Sequence, residues 1–370
     1  MITRITGAVV FFCLIAVGIY VYVVGKPLVL DNDAQLSLAV PEEHKGVFYY
    51  ASMAPNGHNV QPWKVLYNGQ NGTYTLLFDS SRGLAQVDPQ NREAFISLGA
   101  FLENWKQAAQ AYGYTAEISI LPEPGASMEV AHITLTKSGN LPADAEQRLA
   151  RMLIRHTDKR AYEARALPES AINAILEINQ PHLRFYPKGT PEFAWLSRNT
   201  VEAMRVQAGH EGKRLELADW MRFSNAEARQ SRDGLPAEQL GLTGTLKVIF
   251  YTFYNREAAA ENFAIEAVKQ TEQQVHSAAG FFVVTGSSDF KGIVQAGMHF
   301  EKFWLDAVEL GISIHPMSQI LEEEPFASNV MGALSLDAPA QMIVRVGINS
   351  DYGKNSRIRR DVNSFTSLEE

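Results

Sequence analysis

Apolar and polar positions follow two rhythms along this chain, and each rhythm predicts an element. Between residues 91 and 112 the apolar side chains Ala94, Leu98, Phe101, Leu102, Trp105, Ala108 and Ala109 recur every three or four positions, as one face of a helix requires. The same period predicts helices over residues 44–53, 143–155, 168–178, 192–209, 213–229, 246–276 and 288–310. Alternating or continuous apolar runs predict strands over 63–67, 74–79, 115–121, 130–136, 182–186, 280–285, 311–314 and 341–346. The first two strands flank Asn68-Gly69-Gln70-Asn71-Gly72, a hairpin signal, and residues 232–244 are rich in Gly and Pro and predict a loop. Strands and helices do not alternate strictly, so the pattern predicts an α+β fold.

The N-terminus follows neither rhythm. Residues 5–24 carry no charge, about the length a helix needs to span a bilayer. No small-residue cleavage pattern stands near Val24, and the bulky Phe11 and Phe12 precede Cys13, which argues against a lipoprotein signal. The expectation is a single-pass anchor over 1–26 and a polar tether over 27–43. Arg4 and the free amine favour a cytoplasmic N-terminus with the domain outside, by about one charge.

Composition narrows the function. The formal net charge of −8 leaves no basic surplus for nucleic-acid binding. Cys13 is the only cysteine and lies in the apolar segment, so the rest of the chain has no disulfide, Cys-ligated metal or thiol nucleophile. Scattered His and carboxylates show no metal-binding spacing, and no metal is expected.

Two predicted helices echo one another. Leu98-Gly99-Ala100-Phe101-Leu102-Glu103-Asn104-Trp105 matches Ala296-Gly297-Met298-His299-Phe300-Glu301-Lys302-Phe303, and the match continues through Ala109 with Ala307 and Gly113 with Gly311. The early glycine in each would let another backbone or a flat ligand approach closely. The echo predicts an internal duplication, a pseudo-dimer in one chain whose halves, residues 44–150 and 151–370, meet along these helices.

Four constellations carry candidate chemistry. Arg155, Thr157, Lys159 and Arg160 crowd cations and a hydroxyl at a helix end, which suits a dianionic phosphate or an ordinary solvated basic terminus. Asn56, His58, Asn59, Gln61 and Trp63 lie on a tight loop, where amides could read the edge of a planar heterocycle or simply support a buried Trp. His315-Pro316-Met317-Ser318-Gln319 follows the second echo helix. Arg345, Arg357, Arg359 and Arg360 close the chain as further phosphate donors or as a solvated tail.

Together these resemble the flavin-binding nitroreductase superfamily, and within it the fused, two-lobed Acg-type FMN-binding oxidoreductases. Arg155-His156-Thr157-Asp158-Lys159 resembles that family's Arg-x-Ser/Thr-x-Arg/Lys phosphate motif, and Asn59-Val60-Gln61-Pro62-Trp63 its Asn-x-Gln-Pro-Trp motif. Leu310-Gly311-Ile312 with Pro316-Met317-Ser318-Gln319 resembles the segment beside flavin N5, and Gly347 with residues 357–360 the closing strand and basic tail. The first half lacks a phosphate motif and the second lacks an Asn-x-Gln-Pro-Trp, so the resemblance implies one FMN per chain.

The implied fold is a mixed sheet flanked by helices. The implied FMN contacts are Arg155, Thr157, Lys159, Asn59, Gln61, Pro316, Ser318, Gln319, Arg357 and Arg359, with Asn59 on the pyrimidine edge. The implied reaction is a ping-pong transfer from NAD(P)H to a nitroaromatic- or quinone-like acceptor. Residues 232–244 would form a lid, and a chain that only sequesters FMN beneath it is the alternative. A flavin-free interaction domain is a further one. No acid–base residue is required, so His58, His299 and His315 are expected to be structural or flavin-lining. The fused dimer favours a monomer.

Overall fold

The computed structural model describes residues 15–30, 37, 40–125 and 127–369. Two sheets carry the fold. The first runs β3-β4-β2-β1-β9 and joins β1 (Trp63–Asn68), β2 (Thr73–Phe78), β3 (Tyr114–Ile120), β4 (Glu129–Lys137) and β9 (Thr366–Leu368). The second runs β5-β6-β8-β7, from β5 (Leu183–Pro187), β6 (Gly280–Thr285), β7 (Ser313–Pro316) and β8 (Ala340–Gly347), all antiparallel. The hairpin forms as expected, Trp63 opposite Phe78 and Asn68 opposite Thr73. One face of β2 carries Tyr74, Leu76 and Phe78 into the core, and Thr75 on the other is buried against His132, with Oγ1 3.2 Å from Nδ1.

Two long helices lie back to back across the middle, α2 (Arg92–Ala111) and α10 (Phe290–Glu309). Trp105 of α2 packs with Trp63, Tyr74, Phe48 and Phe101 against the first sheet; Trp304, Phe303 and Phe300 of α10 pack against the second. The helices touch at the echoed glycines. A Cβ on Gly99 would stand 2.0 Å from the Val294 carbonyl oxygen, and one on Gly297 2.1 Å from that of Ile96. Each glycine therefore admits the other helix's backbone, the close approach expected from the sequence. The remaining helices are α1 (Glu42–Ala51), α3 (Ala145–Ile154), α4 (Glu169–Ile178), α5 (Pro191–Gly209), α6 (Glu211–Trp220), α7 (Asn225–Ser231), α8 (Gly244–Phe253), α9 (Arg256–Ser277), α11 (Gln319–Glu322) and α12 (Phe326–Ala333).

Three expectations change. The helix expected over 213–229 is two, α6 and α7, parted where Met221 bridges Leu235 and where Ser224 caps α7 by accepting from the Glu227 amide. The helix expected over 246–276 is also two, because Asn255 accepts from the Ala258 amide and starts α9 afresh. The strand expected over 341–346 is not the last: Thr366–Leu368 forms β9, which pairs in parallel with β1, Val65 opposite Thr366, so the tail returns to the first half.

The expected anchor over 5–24 lies partly outside the described residues, which begin at 15. Residues 15–25 are helical. Among the described residues no helix is long and apolar enough to cross a membrane. The tether is held where it is described: the Leu28 amide donates to Glu238 Oε1 (2.7 Å) and the Leu30 amide to the Ser356 carbonyl (2.9 Å).

Candidate functional site

A cavity of about 380 Å³ opens where the two halves and the tail meet. Its wall takes residues 55–59 from the first half, Arg155, His156, Thr157 and Lys159 from the second, and His315 to Gln319 from the end of β7. Leu235, Glu238, Gln239 and Leu240 roof it, and α2, α5, α6 and α9 add Glu93, Gln207, Lys213 and Gln274 among others. The two sequence runs expected to grip one ligand therefore face one space.

The run 155–160 is pinned to β7. The Asp158 amide donates to the Ile314 carbonyl (3.0 Å), and its carboxylate accepts from Ser313 Oγ (2.8 Å), Asn349 Nδ2 (3.1 Å) and Arg160. Arg160 also pairs with Asp351 at 2.9 Å and does not line the cavity. Lys159 is different. Among the described residues its ammonium makes no hydrogen bond and no ion pair, and burial pulls its pKa from 10.5 down to about 8. A desolvated, unpaired cation in a cavity wall is costly unless an anion arrives to pair with it.

Arg155 faces the same cavity but is partly engaged by protein. Its Nη2 donates to the Met53 carbonyl (2.6 Å), its Nε lies 3.2 Å from buried Glu301, and its guanidinium stacks over Trp304 at 4.6 Å. Burial pushes Glu301 up to about 8, with Arg155 pulling the other way. Arg155 Nη1 has no protein partner among the described residues.

The loop 56–61 departs from expectation. His58, Asn59 and Gln61 all hold positive φ (44°, 53° and 55°), a strained region for side chains other than Gly. What holds it is the tail. Asn59 Nδ2 donates to the Gly234 carbonyl (3.0 Å) and the Ile358 carbonyl (3.1 Å), and its Oδ1 accepts from Arg359 Nη1 (2.9 Å). Both amide hydrogens of Asn59 are thus engaged, and the side chain expected on a pyrimidine edge is instead a clamp. Gln61 does not line the cavity: its Nε2 donates to the Arg232 carbonyl (2.9 Å) and its Oε1 accepts the Arg360 amide (2.7 Å).

The tail arginines are clamps as well. Arg359 lines the cavity, yet all its N–H groups go to protein, among them the Ser52, Met53 and Ala54 carbonyls just beyond α1, a helix end that calls for donors. Arg357 is not among the lining residues. Neither is a free phosphate donor.

Thr157, Pro316, Ser318 and Gln319 line the cavity as expected. His315 lines it in a fixed state. Fully buried Arg345 donates from Nε to His315 Nδ1 (3.0 Å), so the ring proton sits on Nε2, and burial with Arg345 keeps this imidazole neutral well below its usual pKa. His58 is neutral too, held at about 4 by burial first and Lys159 second, and its Nδ1 has no partner. His299 stands elsewhere, stacked on His182 at 3.9 Å.

One feature of the wall had no sequence signal. Glu322 of α11 is hydrogen-bonded to Glu93 of α2, to Ser318 and to Gln207 Nε2 (2.5 Å), and burial, then Glu93, raises its pKa well above the carboxylate range. Glu93 and Glu322, 229 positions apart in sequence, are brought together in this wall only by folding.

No protein-family model matches the chain. It is similar to the acg protein of Mycobacterium tuberculosis, 23% identical over 310 residues, 82% of this chain and 88% of that one. It is similar also to PigM of a Serratia strain, 22% identical over 290 residues, 74% and 79% of the two chains. Both are assigned by name as NAD(P)H nitroreductases. Among solved structures, the FMN-dependent nitroreductase NfnB of Mycobacterium smegmatis, solved with NADPH, aligns at TM-score 0.39 and 14% identity, covering 62% of this chain and 99% of that one. At that score the likeness carries no argument, and the fold stands on the elements described above.

Proposed function

We propose that the chain is an FMN-dependent, nitroreductase-like oxidoreductase that takes NAD(P)H as donor. The observation that carries this reading is the unpaired Lys159 ammonium in a cavity lined by both halves of the chain. The donor set fits the group. Lys159, the Thr157 hydroxyl and Arg155 Nη1 would hold a phosphate, cations and hydroxyl together matching a dianion. Neutral His58 and His315, with Asn56 and the Pro316–Gln319 segment, would line the ring system. Bound FMN supplies hydride chemistry that no side chain offers.

This chain's own residues orient and exclude water. The roof is bonded to the floor: the Gly234 amide donates to the Asn59 carbonyl (3.1 Å) and Arg232 Nε to the Arg359 carbonyl (2.9 Å). Arg345 keeps a proton on His315 Nε2, a donor toward the cavity. The acceptor is a nitroaromatic- or quinone-like oxidant in a ping-pong cycle, supported by the relatives' names and by a wall that also carries apolar Ile96, Leu217, Phe263 and Met317.

The bonded roof favours a second reading, in which the cavity holds FMN and turns over little. One experiment separates them. The purified chain is expected to show flavin absorbance that bleaches anaerobically with NADH or NADPH. Flavin that neither donor bleaches supports sequestration, and a chain that takes up no FMN removes both.

A further inference from the structure

Helix α8 is apolar on both faces: Val248 and Phe250 are buried, and a second apolar set faces outward. Its one charged side chain, Lys247, is fully buried, while Leu246, Ile249 and Phe253 face outward, Phe253 with 73% of its surface exposed. These three fall at i, i+3 and i+7, a single apolar stripe. Lys247 is turned inward by the tether: its Nζ donates to the Lys26 carbonyl (2.8 Å) and pairs with Glu238.

The same contacts bring the end of a second apolar segment to the start of α8. Residues 15–25 are helical, and Val17, Ile19, Tyr22 and Val23 on them are exposed by more than half. This segment ends against the start of α8, where a Cβ on Gly25 would stand 3.2 Å from the Gly244 carbonyl oxygen. The uncharged run it belongs to covers 5–24, about the length that matches the hydrocarbon thickness of a bilayer. Charge returns at Lys26, whose ammonium lies over the Tyr22 ring at 4.1 Å; Tyr and Lys are the side chains that favour the membrane–water boundary.

We propose that the α8 stripe and the N-terminal apolar segment form one lipid-facing surface, which seats the roof of the cavity on a phospholipid bilayer. A second protein surface would have to cover the stripe and also the exposed apolar side chains of residues 15–25, whose helix ends against α8; a hydrocarbon slab covers both. The placement has a consequence for the cavity. Glu238, which binds the Leu28 amide and Lys247, is itself a cavity-lining residue, so the docked tether is joined directly to the roof. This inference stands on surface and tether geometry and does not rest on the flavin reading.

The test uses the full chain in phosphatidylcholine vesicles, with Cys13→Ser removing the native thiol. Single cysteines placed by Phe253→Cys, Leu246→Cys and, as a distant exposed control, Asp337→Cys carry a bimane fluorophore. Circular dichroism checks each fold, and the two α8 sites report independently if one variant fails. Nitroxide-labelled lipid is expected to quench the probes at 246 and 253 at least about twofold, and aqueous iodide to quench only the probe at 337. Iodide quenching at all three sites with no lipid quenching overturns the proposal. Shielding of the α8 probes from both quenchers, with a dimer in cross-linking, overturns it in favour of a second copy.

Discussion

Lys159 is the residue on which ligand binding turns. A hydrogen bond between charged partners contributes about 1.5–3 kcal/mol, so Lys159→Ala should weaken FMN about tenfold to a hundredfold in a fluorescence titration. Unchanged affinity would remove this residue from the phosphate site. The pH dependence has a fixed sign. The folded-state pKa of Lys159 lies below its ordinary value, at about 8 against 10.5. Its charge therefore costs stability at neutral pH, and that cost fades as pH rises through about 8. A phosphate needs the charged form. FMN affinity should be steady below pH 8 and fall above it, by up to about tenfold per pH unit, as equilibrium titrations from pH 6 to 10 would show. In Lys159→Ala that decline should disappear. Sequence made the run 155–160 visible but not its division of labour. Arg160 looks like Lys159 on paper, and only the fold shows Asp158 and Asp351 pairing with it.

At the scale of elements, two contacts deserve perturbation. Gly99→Ala in α2 drives a methyl to 2.0 Å from the Val294 carbonyl oxygen, so α2 and α10 must separate. Overpacking of this kind costs about 1–3 kcal/mol, to be read from urea unfolding; a wild-type midpoint would mean the crossing is looser than described. Arg359→Met leaves the Ser52 carbonyl and Asn59 Oδ1 without their donor and takes one of two donors from the Met53 and Ala54 carbonyls, which keep Arg155 and Asn56. Unpaired buried acceptors of this kind cost on the order of 3 kcal/mol together, and the variant should unfold earlier and hold FMN less tightly because loop 56–61 loses its support. The elements themselves were largely legible: α2, α10, the hairpin and strands β3 to β8 follow the apolar rhythm, while the short β9 and the division into two sheets do not show in it. The breaks at 221–224 and 254–255 were not, because Ser224 and Asn255 are ordinary polar residues until a helix start gives them a role. The protein partners of the Asn-x-Gln loop were hidden for a related reason. Its amides are satisfied by residues 232, 234 and 358–360, and no local pattern reveals a partner so distant in sequence.

At the scale of the molecule, the return of the tail is what makes one cavity from two halves. β9 adds to the first sheet, and Arg359 and Arg360 tie the end of the chain to residues 52–63. The echo of α2 and α10 suggested two halves meeting; that the tail would close the site, and that Glu93 and Glu322 would meet in its wall, came only from the fold. The central claim is one FMN per chain, held by Lys159 between the halves and reducible by a nicotinamide. The most direct measurement is the flavin content of purified protein by absorbance, followed by anaerobic addition of NADPH or NADH. The account predicts about one FMN per chain in the wild type, bleached by the donor, and a flavin-depleted Lys159→Ala. Folded wild-type protein that remains colourless after incubation with excess FMN would contradict it.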